Sequence, residues 1–325
     1  MPEYTVPPDL NGARIDKFFA AMMGDAVSRS QIQKAIKSGL AIDADGATVA
    51  ENNRKVAEGE NYSITLATPR ESPARPEDIP LDILYEDDDV IVVNKPAGMV
   101  VHAGAGVSDG TLVNALLHHT SLSSIGAAAG RSGIVHRLDK DTSGAMLACK
   151  TDRAHIAMYR QFETHSVRRE YAAIVWGILN PASGTIDKNL ARNPRNYQEF
   201  VAVPEGGKTA VTHYETTKVF SGAKFKPMSL IKCSLETGRT HQIRVHMASA
   251  GHPILGDSAY GSQGRLLRTV ESREAVAILK SAARQMLHSR NISFRHPTSG
   301  KDMRFEAPIP PDMQAVMDGL KALNT

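Results

Sequence analysis

The sequence has few of the features that mark secreted, membrane-spanning or zinc-binding proteins. It contains two cysteines, Cys149 and Cys233, and both lie in apolar runs, which indicates reduced core residues rather than a disulfide or a metal site. No apolar stretch approaches the roughly 20 residues of a membrane-spanning helix. The first residues, 1–5, have neither the basic start nor the apolar run of a signal peptide. These absences predict a cytoplasmic protein with no membrane partner.

Net charge is also small, +3, but it is unevenly distributed along the chain. Residues 131–250 contain 18 Lys and Arg against 10 Asp and Glu, whereas residues 71–130 contain 2 against 9. The local excess of +8 favours an anionic substrate such as nucleic acid. Ordinary scatter of charge along the chain is the alternative.

The densest group of polar residues is the stretch His136-Arg-Leu-Asp-Lys-Asp-Thr-Ser-Gly144. Apolar runs on both sides predict two short buried strands joined by this polar turn. A turn needs Asp, Ser or Gly, but it does not need Arg137 two residues before Asp139 and Lys140 directly after it. Cations this close favour the ionised form of Asp139, which a nucleophile or an electrostatic partner requires. The alternative is a surface turn with ion pairs, and it is weakened by two similarly dense stretches elsewhere.

The two other dense stretches follow the first. Residues 168–177 predict a strand in which Tyr171 shares one face with apolar residues, and a buried ring with a satisfied hydroxyl is the ordinary interpretation of such a tyrosine. Residues 236–248 predict a helix that Thr240 caps and that carries His241 and Arg244. His241 and His246 are five residues apart, which does not place two ligands on one helical face as zinc motifs do. We therefore predict no metal.

Length and composition predict two domains. Residues 1–70 indicate a small module with two helices, and Arg29, Lys34 and Lys37 lie on the second, predicted over 28–38. Prolines in the segment 71–81 predict an extended linker, and residues 82–325 form the larger domain. A generic helical cap with a solvated charged face is the alternative for the small module, because its net charge is −1.

Two segments give weaker signals. The acidic triplet Asp87–Asp89 predicts the solvated turn of a hairpin rather than a metal site, because adjacent carboxylates on a tight turn point apart. The segment 262–284 is poor in recognisable motifs and predicts a variable insertion.

Several stretches together resemble the RluA-type pseudouridine synthases. They are His136–Gly144, Arg169-Glu-Tyr-Ala172, Thr237-Gly-Arg-Thr-His-Gln-Ile-Arg-Val-His246 and Gly251-His-Pro-Ile-Leu-Gly-Asp257. The front of the chain resembles the S4 RNA-binding domain, through Ser28-Arg-Ser-Gln-Ile32 and the following Gly39. A narrower likeness to members that act on bacterial large-subunit rRNA is carried by His102-Ala-Gly-Ala-Gly106, Asn114-Ala-Leu-Leu-His118 and Ala307-Pro-Ile-Pro-Pro-Asp-Met313.

The resemblance implies both a fold and an activity. The fold is α+β, with an S4-like (α-L) module and a catalytic domain built on a mixed, mainly antiparallel sheet with a central cleft. The activity is isomerisation of uridine to pseudouridine in RNA, with 23S rRNA favoured and tRNA as the alternative. No atom enters or leaves in this reaction, so no cofactor is expected. The implied partner is RNA, either free or in pre-ribosomal particles. The implied oligomeric state of the enzyme is a monomer.

The resemblance also implies roles for particular residues. Asp139 is the catalytic carboxylate, Arg244 is its ion-pair partner, and Tyr171 is the ring that packs against the target base. Arg137 fills the space that the flipped nucleotide leaves, since a base must leave its stack before it can react. The remaining expected RNA contacts are His136, Arg239, His241, Ile243, Lys95, Arg29 and Lys34.

Two other functions fit parts of the sequence. A phosphatase or dehalogenase with an aspartate nucleophile would have Asp-x-Asp-x-Thr after a buried strand, and the segment 139–142 lacks one spacer. A non-catalytic RNA-binding or ribosome-assembly factor is the stronger alternative. The presence of Asp139, Tyr171 and Arg244 together favours the enzyme.

Overall fold

The computed structural model describes residues 3–23, 29–65, 74–104, 106–222, 225–261 and 263–323. Contacts within the chain divide it into two units, Met1–Glu71 and Ser72–Thr325. This division falls within the segment 71–81 that the sequence predicts as a linker. The position of the linker itself stays a prediction, since residues 66–73 lie outside the described part.

The smaller unit packs two helices on a four-stranded antiparallel sheet. Its helices are α1 (Ile15–Met23) and α2 (Arg29–Lys37), after a short 3-10 helix at Pro8–Leu10. Its strands are β1 (Glu3–Thr5), β2 (Ala41–Asp43), β3 (Thr48–Val49) and β4 (Asn61–Ile64), in the order β1-β4-β2-β3. Apolar residues at helical spacing, among them Phe18, Phe19 and Ile36, bury one face of each helix against Tyr62. The predicted helix pair is therefore present, while Ser28, its expected cap, lies outside the described residues.

The larger unit is organised around a mixed sheet of nine strands in the described part of the chain. Along the sheet the order is β5-β6-β7-β14-β8-β13-β12-β9, and β15 pairs with the far half of β14. The pairing of β7 with β14 is parallel, and the other pairs in this sheet are antiparallel. The prediction of a mixed, mainly antiparallel sheet is confirmed. The strands are β5 (Ile83–Glu86), β6 (Val90–Lys95), β7 (Ser143–Cys149), β8 (Arg168–Trp176), β9 (Ser183–Asp187), β12 (Val211–Gly222), β13 (Phe225–Leu235), β14 (Leu287–Arg295) and β15 (Asp302–Glu306).

Helices cover both faces of this sheet, because alternate residues of the central strands are apolar on both sides. In β8, Tyr171, Ala173 and Val175 share a core with α3 (Leu112–His119) and α5 (Gln242–Ser249). The opposite face packs on α4 (Asp152–Glu163), α7 (Arg273–Ser281) and α8 (Pro311–Ala322). The remaining elements are α6 (Gln263–Leu267), a 3-10 helix at Ala127–Ala129, and a separate hairpin of β10 (Asn189–Arg192) and β11 (Phe200–Val203). Cys149 and Cys233 are buried and free, as predicted.

The structure corrects three local predictions. The strand expected before the central motif is reduced to an isolated bridge between Ile134 and Ala148. α5 begins after His241 rather than after Thr240, and His241 has the left-handed backbone conformation with φ 58°. The acidic turn is not merely solvated, because Asp89 is buried. The described residues of the segment 262–284 include α7, which packs against β8 and α8, and the prediction of a variable insertion stays a prediction.

Candidate active site

Asp139 lies in the irregular segment that leads into β7, and two features hold this segment in place. The Lys95 ammonium donates to the carbonyl oxygens of Pro96, Met99 and Lys140 at 2.8, 2.9 and 3.0 Å. All three of its N–H groups are thereby satisfied, and one of them fixes the backbone next to Asp139. Further along, a Cβ on Gly144 would lie 2.2 Å from the Ser289 carbonyl oxygen. Only glycine therefore allows β14 to approach the end of the motif.

The Asp139 carboxylate is bound by Arg244 from the first turn of α5. Arg244 Nη1 donates to Asp139 Oδ2 at 3.1 Å, and the Asp139 side chain keeps 18% of its exposure. The other edge of the guanidinium binds Asp257, with Nε to Oδ2 at 2.7 Å and Nη2 to Oδ1 at 3.0 Å. Asp257 is fully buried and also accepts the backbone N–H groups of Ala259 and Tyr260. Arg244 is thus aimed at Asp139 by a carboxylate that is itself fixed.

His241 and Tyr260 form the second side of this arrangement. His241 Nε2 lies 3.9 Å from Asp139 Oδ1, and its Nδ1 lies 2.8 Å from the Tyr260 hydroxyl. That hydroxyl accepts the backbone N–H of Phe200, so its own proton is available for His241 Nδ1, which leaves the ring N–H on the side of Asp139. Burial lowers the pKa of His241 against the opposing charge of Asp139, so the ring is neutral at pH 7. A left-handed histidine at this position is a strained backbone of the kind found at functional sites.

Tyr171 and Asp139 share the wall of a cleft of about 440 Å³, named the Tyr171 cleft below; its wall also includes His136, Arg137 and Arg239. A second cleft of about 610 Å³ meets the first at Arg137 and Asp139. Tyr171 is 6% exposed, and burial raises the pKa of its hydroxyl, so it is a neutral phenol at pH 7. A carboxylate paired with Arg244, a buried aromatic ring and a cationic rim therefore converge on one open space.

Two residues that the sequence assigns to substrate binding have their polar atoms bound by the protein itself, although His136 also lies in the wall of the Tyr171 cleft. The His136 ring stacks on Phe162 at 4.8 Å, and its Nε2 accepts the N–H of Leu147 at 2.9 Å, beyond the residues of β7 that pair with β14. Burial lowers the pKa of His136 to about 3, so the ring stays neutral. Lys95 is fully buried on its three carbonyls, and burial lowers its pKa to about 7. This geometry argues against direct contact between Lys95 and RNA, because the three N–H groups of Lys95 already bind carbonyl oxygens and its side chain is enclosed.

The other predicted residues of the larger unit lie at the clefts. Arg137 is exposed at their junction, and Arg239 donates from Nε to the Thr209 carbonyl oxygen at 3.0 Å. Ile243 is buried in the core beneath Tyr171 and Asp139. In the smaller unit, Arg29 is half exposed and binds the buried Asp16 at 2.8 Å, and the Lys34 side chain lies outside the described residues.

Three residues of the site were not singled out from the sequence. Asp257 and Tyr260 follow the glycine-rich loop after α5, and their order along the chain gives no sign that they contact Arg244 and His241. Arg169, in β8, lies buried in the wall of the Tyr171 cleft. Its place two residues before Tyr171 on a strand puts both on one face, which is the signal that could have found it.

Comparisons with known proteins decide the family. Residues 89–249 match the RNA pseudouridylate synthase family. Ribosomal large subunit pseudouridine synthase D of Zymomonas mobilis is 43% identical over 99% of this chain and 98% of its own. The enzyme of that name from Xanthomonas campestris is 43% identical over 97% of this chain and 91% of its own.

This chain belongs to the RNA pseudouridylate synthase family.

The fold agrees with that assignment. The solved structure of human RNA pseudouridylate synthase domain containing 1 is 25% identical, with a TM-score of 0.57 over 74% of this chain and 89% of that chain. As an RNA pseudouridine synthase, the chain is an isomerase that acts on uridine in RNA. Its described residues contain no cluster of three or more His, Cys, Asp or Glu that could hold a metal ion. None of the helices in the described ranges combines the length and the apolar character that a membrane span requires.

Proposed function

We propose that this synthase converts uridines of large-subunit (23S) rRNA to pseudouridine. The observation that carries the proposal is 43% identity, over nearly the whole of both chains, to a synthase named for the large ribosomal subunit. The excess of Lys and Arg in residues 131–250 supports a polyanionic substrate. An rRNA substrate places the enzyme in the cytoplasm, acting as a monomer on pre-ribosomal particles or free rRNA.

Asp139 is the catalytic carboxylate in this proposal. The reaction breaks the N1–C1′ bond of uridine and joins C5 to C1′, while the C5 proton is lost and N1 gains one. The Asp139 carboxylate acts on the ribose, either at C1′ or on a ribose proton. Its ion pair with Arg244 supports this role, because the pair fixes the carboxylate in the wall of the Tyr171 cleft, with His241 close by.

Tyr171 and Arg137 handle the base. The Tyr171 ring packs against the uracil and keeps it in the cleft after it detaches, and its hydroxyl takes part in the late proton transfer from C5. Arg137 enters the space that the flipped nucleotide vacates, which its exposed position at the junction of both clefts supports. Arg239 lies on the rim as a phosphate contact.

The smaller unit contributes RNA affinity as an S4-like module. Its basic helix α2 supports this, although Arg29 already binds Asp16, so Lys34 and Lys37 are the better candidates for phosphate contacts. Replacing both by Gln in the full chain should weaken RNA binding about equally for all sequences and lower the slope of its salt dependence by about 2. An unchanged slope would remove the smaller unit from RNA recognition.

The experiment for the substrate is a map of pseudouridine in cellular RNA with and without this protein. Loss of sites confined to 23S rRNA is the expected result, and loss confined to tRNA would replace the proposed substrate by the alternative. The experiment for the catalytic carboxylate compares Asp139→Asn with Asp141→Asn on an RNA that the wild-type enzyme converts. Asp139→Asn should abolish conversion and keep RNA binding, whereas Asp141→Asn should be milder. Equal loss from both would refute the choice of acid.

A further inference from the structure

Arg169 is a buried cation without a counter-ion in the part of the chain that the structure describes. It is 8% exposed, and its Nε lacks a hydrogen-bond partner. Its guanidinium lies 5.5 Å from the centre of the Phe162 ring. None of the carboxylates in the described ranges lies within ion-pair distance of it. Because a buried charge is costly unless it is paired, this arrangement indicates that a partner arrives from outside the protein.

The chain leaves room for this guanidinium at a defined place. A Cβ on Gly238 would lie 2.7 Å from Arg169 Nη1, so any larger residue there would displace the guanidinium. The backbone of Gly238 does not have positive φ, so glycine serves here to make space rather than to form a turn. The loop after β13 thus accommodates Arg169 in the wall of the Tyr171 cleft.

The charges around that position select an anion. Arg137, Arg169 and Arg239 all line the Tyr171 cleft. The two acids in its wall are Asp139, which Arg244 already binds, and Glu163, which is exposed to solvent. An uncharged uracil could accept hydrogen bonds at its carbonyl oxygens but would leave the buried charge uncompensated. A phosphodiester offers both negative charge and two oxygens for the guanidinium fork.

The position of Arg169 relates this anion to the reacting nucleotide. Arg169 and Tyr171 are two residues apart on the same face of β8, which separates them by roughly 7 Å along the strand. One nucleotide unit spans that distance. We propose that Arg169 binds the backbone phosphate next to the target uridine, so that the ribose is held over Asp139 while the base lies against Tyr171. The inference rests on the proposed site around Asp139.

The test combines protein variants with RNA in which single phosphates are neutral. Each linkage flanking the target uridine of a short RNA that the wild-type enzyme converts is replaced in turn by a methylphosphonate. With wild-type enzyme, one linkage should reduce kcat/KM about 10- to 100-fold, the range for a charge-assisted hydrogen bond. With Arg169→Gln, kcat/KM on unmodified RNA should fall by a similar factor, and neutralising that linkage should then have no further effect.

Two further variants distinguish loss of the phosphate contact from misfolding of the protein. Arg169→Lys keeps the charge and should retain part of the sensitivity to that linkage. Gly238→Ala keeps every charge but displaces the guanidinium, so it should reproduce the loss of coupling. The control is Arg168→Gln, which removes the neighbouring exposed arginine on the opposite face of β8 and should leave the coupling at its wild-type value. Urea unfolding of each variant shows whether it is folded at the assay temperature.

Several results would overturn the inference. One such result is that Arg169→Gln and Gly238→Ala are both active and keep the wild-type sensitivity to the neutral linkage. Another is that every flanking linkage can be neutralised without effect on the wild-type enzyme. Arg169→Gln could also lower kcat/KM by the same factor on unmodified RNA and on every RNA with a neutral linkage. That result would assign Arg169 to support of His136 and Phe162 instead. The test RNA is any fragment that the wild-type enzyme converts, whatever RNA the fragment comes from. A tRNA fragment can therefore serve if no 23S rRNA fragment is converted, so that the failure of the proposed substrate is distinguished from the failure of the phosphate contact.

Discussion

Asp257→Asn tests whether the site depends on the carboxylate behind Arg244. In the native protein one oxygen of Asp257 accepts two backbone N–H groups and Arg244 Nη2, while the other accepts Arg244 Nε at 2.7 Å. The asparagine oxygen can keep the first set of contacts. Its amide nitrogen then faces Arg244 Nε, which places donor against donor and leaves the guanidinium with Asp139 as its one anion among the described residues.

The size of the effect follows from burial. Asp257 is fully buried and Arg244 is 8% exposed, and removing one partner of such a pair costs about 3–5 kcal/mol. Asp312 offers a matched comparison, because it also accepts Nε and a second nitrogen of an arginine, Arg284, at 2.7 and 2.9 Å. The Asp312 side chain is 43% exposed, so Asp312→Asn should cost only about 1 kcal/mol. We also expect kcat to fall roughly 100-fold in Asp257→Asn alone, because a small displacement of Arg244 misplaces Asp139.

The assay follows unfolding in urea by the fluorescence of Trp176, the single tryptophan, which is buried in the larger unit. Conversion of RNA is measured on the same preparations, well below the urea midpoint. A free-energy loss in Asp257→Asn no larger than that in Asp312→Asn would refute the argument from burial. Wild-type kcat in Asp257→Asn would refute the claim that Asp257 positions Arg244.

Three other substitutions probe different parts of the chain. Tyr171→Phe keeps the ring and removes the hydroxyl, so RNA affinity should be unchanged and product formation about 10²- to 10⁴-fold slower; unchanged product formation would limit Tyr171 to packing. Burial raises the pKa of Asp16, but hydrogen bonds from Gln33, Arg14 and Arg29 outweigh it and hold this pKa at about 2 against an ordinary 3.8. Asp16→Asn should therefore destabilise the smaller unit by about 2 kcal/mol at pH 7. Because the folded pKa is the lower one, the difference between wild type and variant in amide hydrogen exchange of α1 should disappear as the pH falls from about 4 to 2. Gly144→Ala should cost about 3 kcal/mol or more in urea unfolding, since its Cβ would meet the Ser289 backbone; Gly98→Ala, at positive φ with no atom within 4 Å, should cost only about 1–2 kcal/mol.

The architecture of the larger unit could be predicted from local pattern. Alternation along β8 places Tyr171, Ala173 and Val175 on one face, and the structure buries all three in one core. Thr111 and Thr151 cap α3 and α4 through their side chains, as hydroxyl residues before apolar helical patterns do. These features depend on neighbours in sequence, which is why local pattern carries the information for them.

What could not be predicted depends on distant partners. Asp87 binds His296, and Asp89 binds Thr298, each 209 residues further along the chain, so the acidic triplet looked like a solvated turn. Lys95 was expected to contact RNA, and its burial could not be foreseen because its three carbonyl acceptors come together only in the folded loop. Asp257 was missed for the same reason: nothing in its position along the chain shows that it will lie fully buried behind Arg244.

The parallel contact between β7 and β14 has a consequence for the folding of the chain during its synthesis on the ribosome. Ser143 and His288, which pair across it, are 145 residues apart. At about 5–20 residues per second, a nascent chain would expose this edge of β7 for roughly 7–30 s before its neighbour emerged from the ribosome. An uncovered apolar strand is a target for aggregation and for chaperones during that interval. Translation that stops before residue 287 would therefore release a chain that holds Asp139 and Arg244 but lacks the strand that closes the sheet between β7 and β8.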